Sequence, residues 1–129
     1  MRGVIQGLCA GLFLGAATTA SAQQAGETQA RSYLEAGMST HAGIGYRRDP
    51  ATPDVAMALR LDHPFLWSVY LTRGQTYRVY GACDDHCSDL DMEIYGADGA
   101  LADRDAATND TPYVHITPTQ SGRAHVRVW

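Results

Sequence analysis

Two alternating stretches meet at a loop bracketed by cysteines, and this constrains the fold more than any other feature of the chain. Tyr77-Arg78-Val79-Tyr80-Gly81-Ala82 leads into Cys83-Asp84-Asp85-His86-Cys87, and Ser88-Asp89-Leu90-Asp91-Met92-Glu93-Ile94-Tyr95 leads out of it. A period of two places every second side chain on one face, the signature of a half-buried strand. A bond between Cys83 and Cys87 would pin the bend between the strands. Whether the thiols are oxidised depends on the compartment.

The N-terminus bears on that. Arg2 precedes an uncharged, mostly apolar run from Val4 to Ala17, and Ala20-Ser21-Ala22 fits a small-x-small cleavage site. Residues 1–22 are therefore expected to be an export signal, with the mature chain starting at Gln23 and Cys9 leaving with the signal. The apolar core is short and interrupted by Gln6 and glycines, whereas a span needs about 20 predominantly apolar residues. The expected location is periplasmic or secreted, with no membrane insertion after cleavage. Taking 22 from 129 leaves 107 residues, one domain in size. Such a chain buries around 65 per cent of its extended surface. In an oxidising compartment the remaining pair, Cys83 and Cys87, reads as a disulfide. The alternative is a zinc site using both cysteines, His86 and one further histidine, although no second pair stands at finger-like spacing.

Every basic residue is Arg, and losing Arg2 moves the formal charge from −4 to −5. An acidic, lysine-free chain of this kind argues against nucleic acid and anionic membrane as partners.

Residues 23–54 differ in pattern from the C-terminal part of the chain. Ala30, Tyr33, Leu34 and Met38 share a helical face between Glu27 and about Met38, with Arg31 and Glu35 four apart, which predicts a short helix ending near Gly37. Residues 41–53 read as an irregular linker. From Val55 the period becomes two. Strands are expected around Val55–Leu61, Trp67–Leu71, Tyr77–Val79, Leu90–Ile94, Leu101, Val114–Ile116 and Ala124–Val128, separated by turn signals such as Asp62-His63-Pro64 and Asp98-Gly99. Seven short strands over 55–129 predict an all-β sandwich of jelly-roll or Greek-key type.

Several of these stretches carry a resemblance. Leu71-Thr72-Arg73-Gly74-Gln75-Thr76-Tyr77, Asp89-Leu90-Asp91-Met92-Glu93-Ile94-Tyr95, the Asp98-Gly99 turn, and Ser121-Gly122 with Val126-Arg127-Val128 stand in the order found in bacterial pre-peptidase C-terminal domains. The chain from about Leu59 to Trp129 resembles that family, a jelly-roll-like sandwich appended to secreted proteases and collagenases. Two departures are Ala124, where the family usually has an aromatic, and the lack of a protease domain before the module. The resemblance implies an accessory module, and collagenase relatives add an association with calcium.

Three groups of residues invite a chemical reading. Asp89, Asp91 and Glu93 share a strand face, with i and i+2 about 6.7 Å apart. With loop acids such as Asp103 and Asp105 they would make the oxygen-rich set that calcium prefers. Neither acidic run continues as an EF-hand, because Ile94 and Thr108 occupy the positions needing Gly. The competing reading is a solvated acidic face balanced by Arg78, Arg123 or Arg127. His115 and His125 would lie opposite each other if the last two strands form a hairpin, and would separate if those strands belong to opposite sheets. Finally, Tyr70, Tyr80, Tyr95 and Tyr113 fall on the polar sides of their strands, as a binding surface or as a face covered by the N-terminal helix.

No nucleophile elbow, His-Glu-x-x-His pair or phosphate-cradling glycine loop is present in the sequence. The expectation is a non-catalytic exported module whose partner is an envelope or extracellular protein or glycan, with calcium as an accessory ion. The alternative is a structural or stress-protective envelope protein without a specific ligand. An exposed tyrosine patch would favour the first, and a helix over that face the second.

Overall fold

A computed structural model describes residues 3–12 and 20–129 of the chain, as nine strands and one helix: β1 (Gly3–Leu12), α1 (Ala20–Gly43), β2 (Tyr46–Arg48), β3 (Val55–Leu59), β4 (Phe65–Leu71), β5 (Thr76–Cys83), β6 (Met92–Tyr95), β7 (Leu101–Asp105), β8 (Tyr113–Ile116) and β9 (Gly122–Val128). The seven strands expected over 55–129 are β3 to β9. They form a two-sheet sandwich with the helix on one outer face. One sheet is four-stranded, in the order β4-β9-β6-β7, and its described pairings are antiparallel. The other is five-stranded. In it β5 pairs with β8 on one side and β1 on the other, and β2 and β3 both pair with β1.

Consecutive strands mostly alternate between sheets, and this decides what the cysteine loop joins. β5 and β6 lie in opposite sheets, so Cys83–Cys87 ties a crossing between layers. The disulfide is formed, with the two Cα atoms 5.8 Å apart, within the usual range. β8 and β9 are also split between the sheets.

Alternation produces the core. Val69 and Leu71 of β4, Tyr77 and Val79 of β5, Met92 and Ile94 of β6, Val114 and Ile116 of β8, and Val126 and Val128 of β9 bury one side of each strand between the sheets. A second cluster lies on the far side of the five-stranded sheet, where Ala30, Leu34 and Met38 of α1 cover Cys9, Tyr46, Tyr80 and Ala82. β5 is thus covered on both faces, which accounts for its nearly continuous burial. At Cys9 burial pushes the thiol up to about 12, holding it protonated.

The helix is longer than its periodicity predicts. Gly37, the expected terminus, lies within it because the Tyr80 ring occupies the space where a Cβ would stand. The helix stops at Gly43, and Gly45 follows at φ 96°, a left-handed conformation that side chains resist. The linker contains the short strand β2. The expected export signal overlaps residues 1–2 and 13–19, which lie outside the described set. Of the remainder, Gly3–Leu12 is β1 and Ala20–Ala22 open α1.

The β4–β5 turn shows what the Gly-x-x-Tyr spacing does. Tyr77 Oη accepts from Thr72 N at 2.8 Å and donates to Gln75 Oε1 at 2.8 Å. The tyrosine two positions into the strand reaches back and fixes the turn that delivered it, with Gly74 at φ 79°.

Candidate binding surface

The helix packs on β1, β5, β2 and β3, so the two outer faces of the sandwich differ. The outer face of the four-stranded sheet carries Leu66, Ser68 and Tyr70 from β4, Arg123, His125 and Arg127 from β9, Glu93 and Tyr95 from β6, and Arg104 from β7. Strand register arranges these as rows. Leu66 lies opposite Arg127, Arg127 opposite Glu93, and Glu93 opposite Arg104. In the next row Ser68 faces His125, which faces Tyr95, which faces Leu101; Tyr70 faces Arg123 beyond. Tyr70 is 64 % exposed and Leu66 66 %.

Glu93 organises this face. It lies on the outer side yet is only 6 % exposed, because its neighbours close over it. Tyr95 Oη donates to its Oε2 at 2.7 Å, Arg127 Nη1 reaches the same oxygen at 3.3 Å, and Arg104 Nε stands 3.6 Å from Oε1. Both guanidinium groups also lie over the Trp129 ring, at 4.4 Å for Arg127 and 5.6 Å for Arg104. The Tyr95 hydroxyl first, with Arg127 and Arg104 beside it, holds the Glu93 carboxyl below its ordinary pKa against the upward pull of burial. In turn, Glu93 raises the Tyr95 phenol. Next along the sheet, Ser68 Oγ and His125 Nδ1 are 2.9 Å apart. The result is a surface on which Arg127 and Arg104 enclose one carboxylate while Arg123 stands opposite Tyr70, on a chain that is acidic overall.

The tyrosine set predicted as one surface is divided by this architecture. Tyr70 and Tyr95 belong to the open sheet. Tyr80 and Tyr113 pair directly on the other sheet, where Tyr80 is buried beneath α1. There Arg78 lies between the rings of Tyr46 and Tyr113, 4.6 and 4.5 Å from their centroids, and its Nη1 donates to His41 Nδ1 at 3.2 Å. Burial, followed by the nearby Arg78 charge, lowers the His41 pKa. Arg78 therefore does not balance the Asp89–Glu93 face as expected; Arg127 and Arg104 balance Glu93.

The two histidines do not meet. His115 Nδ1 pairs with Asp103 Oδ2 at 2.9 Å, and His125 pairs with Ser68. The calcium set is likewise drawn into local bonding. Asp103 Oδ2 also accepts from His115 N at 2.9 Å, while the Asp105 oxygens accept from Tyr113 N and Ala107 N at 3.1 Å each. Asp89 and Asp91 stand apart from these, lining a cleft of about 380 Å³ with Leu59, Leu61, His86 and Trp129. Burial raises the Asp91 carboxyl, with the charge of Asp89 adding to it, and Asp91 Oδ1 has no hydrogen-bond partner. Among the described residues no three His, Cys, Asp or Glu side chains are grouped to hold a metal ion.

The disulfide loop docks on the helix. Asp85 accepts from Tyr33 Oη at 2.6 Å and Gln29 Nε2 at 2.7 Å, and its own N–H donates to Gln29 Oε1 at 2.8 Å. Asp84, fully buried, accepts from His86 N at 3.1 Å. Sequence reasoning missed this docking and the roles of Arg104 and Trp129. Glu93 carried no distinguishing signal, since Asp91 is flanked by Leu90 and Met92 in the same way. Its arginine partners depend on strand order, which local periodicity does not encode.

No family model matches this chain, and no curated protein matches it significantly. Among the described residues no helix is long and apolar enough to cross a membrane.

Proposed function

We propose that this chain is an exported, non-catalytic β-sandwich module that holds an envelope or extracellular ligand, protein or glycan, on the open face of the four-stranded sheet. The observation that carries the reading is the asymmetry of the two outer faces. One is largely covered by α1, which leaves Tyr113 of β8 exposed, and the other presents Tyr70, Leu66, Tyr95 and His125 beside three arginines. Tyrosine offers an apolar plane with a polar end, and arginine adds planar donors, the combination enriched where surfaces recognise ligands. The resemblance to pre-peptidase C-terminal domains supports an accessory role, and the Cys83–Cys87 bond supports an oxidising compartment. Calcium enters only through Asp89 and Asp91, and calorimetry with millimolar calcium tests that part separately.

Co-sedimentation of the purified exported chain with isolated envelope material tests the reading, comparing wild type with Tyr70→Ala and Tyr95→Ala. Both variants are expected to lose at least tenfold in affinity, with Tyr70→Ala retaining the wild-type melting midpoint. Undiminished sedimentation of both folded variants would contradict it. One observation favours a second reading, a structural envelope protein: α1 covers Tyr80, and Glu93 turns the Tyr95 hydroxyl inward. On that reading the tyrosine variants change stability and not association.

A further inference from the structure

β1 occupies the middle of its sheet. Its residues 3–10 pair in parallel with Thr76–Cys83 of β5, while its other pairings hold β2 through residues 3–5 and β3 through residues 8–12. The described ladders give β2 and β3 no other strand partner in that sheet. The same residues form nearly half of the segment whose composition reads as a removable export signal. Processing after Ala22 would therefore take a central strand out of the sheet. It would leave one edge of β5 with unpaired N–H and C=O groups, beneath a helix and beside two short strands. Long, apolar, unpaired edges of this kind recruit other strands.

We infer that the space held by Gly3–Leu12 is a strand-acceptor slot, which in the exported chain takes an extended, uncharged segment of a partner polypeptide parallel to β5. The occupant's chemistry is read from the segment now seated there. Residues 3–12 carry no charge. A Cβ at position 7 would overlap the Leu34 side chain, so a larger residue there requires Leu34 to move. Two residues on, Cys9 is buried in the cluster containing Ala30 and Leu34, beside a cavity of about 190 Å³. Main-chain hydrogen bonds would supply affinity, and the close approach at position 7 under α1 would supply selectivity. This rests on the exported-module reading but uses a different surface, since the slot lies in the helix-covered sheet.

The precursor is expressed with its own N-terminus, the exported product isolated, and its first residue read from the intact mass. Exchange of the Thr76–Cys83 amides that face the slot, and not those bonded toward β8, is then followed alone, with a synthetic peptide of residues 3–12 carrying Cys9→Ser, and with the same peptide also carrying Gly7→Leu. The first peptide is expected to slow β5 exchange at least tenfold, and the second to leave it unchanged. Four results would overturn the inference: retention of residues 3–12 in the product, β5 amides already protected because β3 or a second copy has closed the slot, no slowing by the first peptide, or equal slowing by both. Tyr70→Ala should leave this protection intact while weakening envelope association, so in the exported product failure of the slot is distinguished from failure of the open face.

Discussion

Glu93 is a buried carboxylate on the outer face of the four-stranded sheet. A carboxylate on an outer strand face would ordinarily be solvated, but here Tyr95, Arg127, Arg104 and Trp129 enclose it. Its folded pKa lies below the ordinary 4.5, so the folded state favours the ionised form. The resulting stability is fully present above about pH 4.5 and is lost as pH falls through the folded value. Glu93→Gln should flatten the acid limb of the stability curve and cost about 2 kcal/mol at neutral pH, because two guanidinium groups lose their charged acceptor. Urea titrations between pH 3 and 7 check this; an unchanged acid limb would show that other carboxylates govern it. Asp89, Asp91 and Glu93 look equivalent in the sequence, as alternating acids on one face. Their different fates depend on what adjacent strands bring opposite them, which the sequence of β6 does not contain.

At the level of elements, the fit between α1 and β5 depends on Gly37. In an exposed helix Gly→Ala stabilises by up to about 1 kcal/mol. Here the added methyl would meet the Tyr80 ring, itself fixed against His41 at a centroid distance of 4.9 Å. Gly37→Ala should therefore destabilise by about 1–3 kcal/mol through overpacking. Gly43→Ala, whose new Cβ meets nothing within 4 Å, should be neutral or mildly stabilising. Thermal melts of the two variants decide it, and equal effects would mean that the helix does not seat on Tyr80. The strands from Val55 onward were legible because alternation is local. The helix was legible in kind but not in length, since Gly37 reads as a terminator until Tyr80 is known to lie beneath it. The bend expected between the strands flanking Cys83 and Cys87 is a crossing between sheets; a loop that short permits a hairpin as well, so its local sequence does not decide which.

For the whole molecule, seven alternating stretches and one cysteine pair predicted a small disulfide-tied sandwich, and the two sheets and the Cys83–Cys87 bond agree with that prediction. What alternation could not supply was sheet membership, and sheet membership divides Tyr70 and Tyr95 from Tyr80 and Tyr113 and separates His115 from His125. It also sets one outer face largely covered by α1 against one open face. The open face as a ligand surface and the slot beside β5 both depend on the chain leaving the cytoplasm, losing its leader and oxidising Cys83 with Cys87. Intact-mass spectrometry of the exported product, with and without thiol alkylation under denaturing conditions, tests this in one measurement. The predicted result is a chain beginning at Gln23 that takes up no alkylating agent until it is reduced, and then two equivalents. A product that keeps residues 1–22, or that alkylates at Cys83 and Cys87 without reduction, would contradict it.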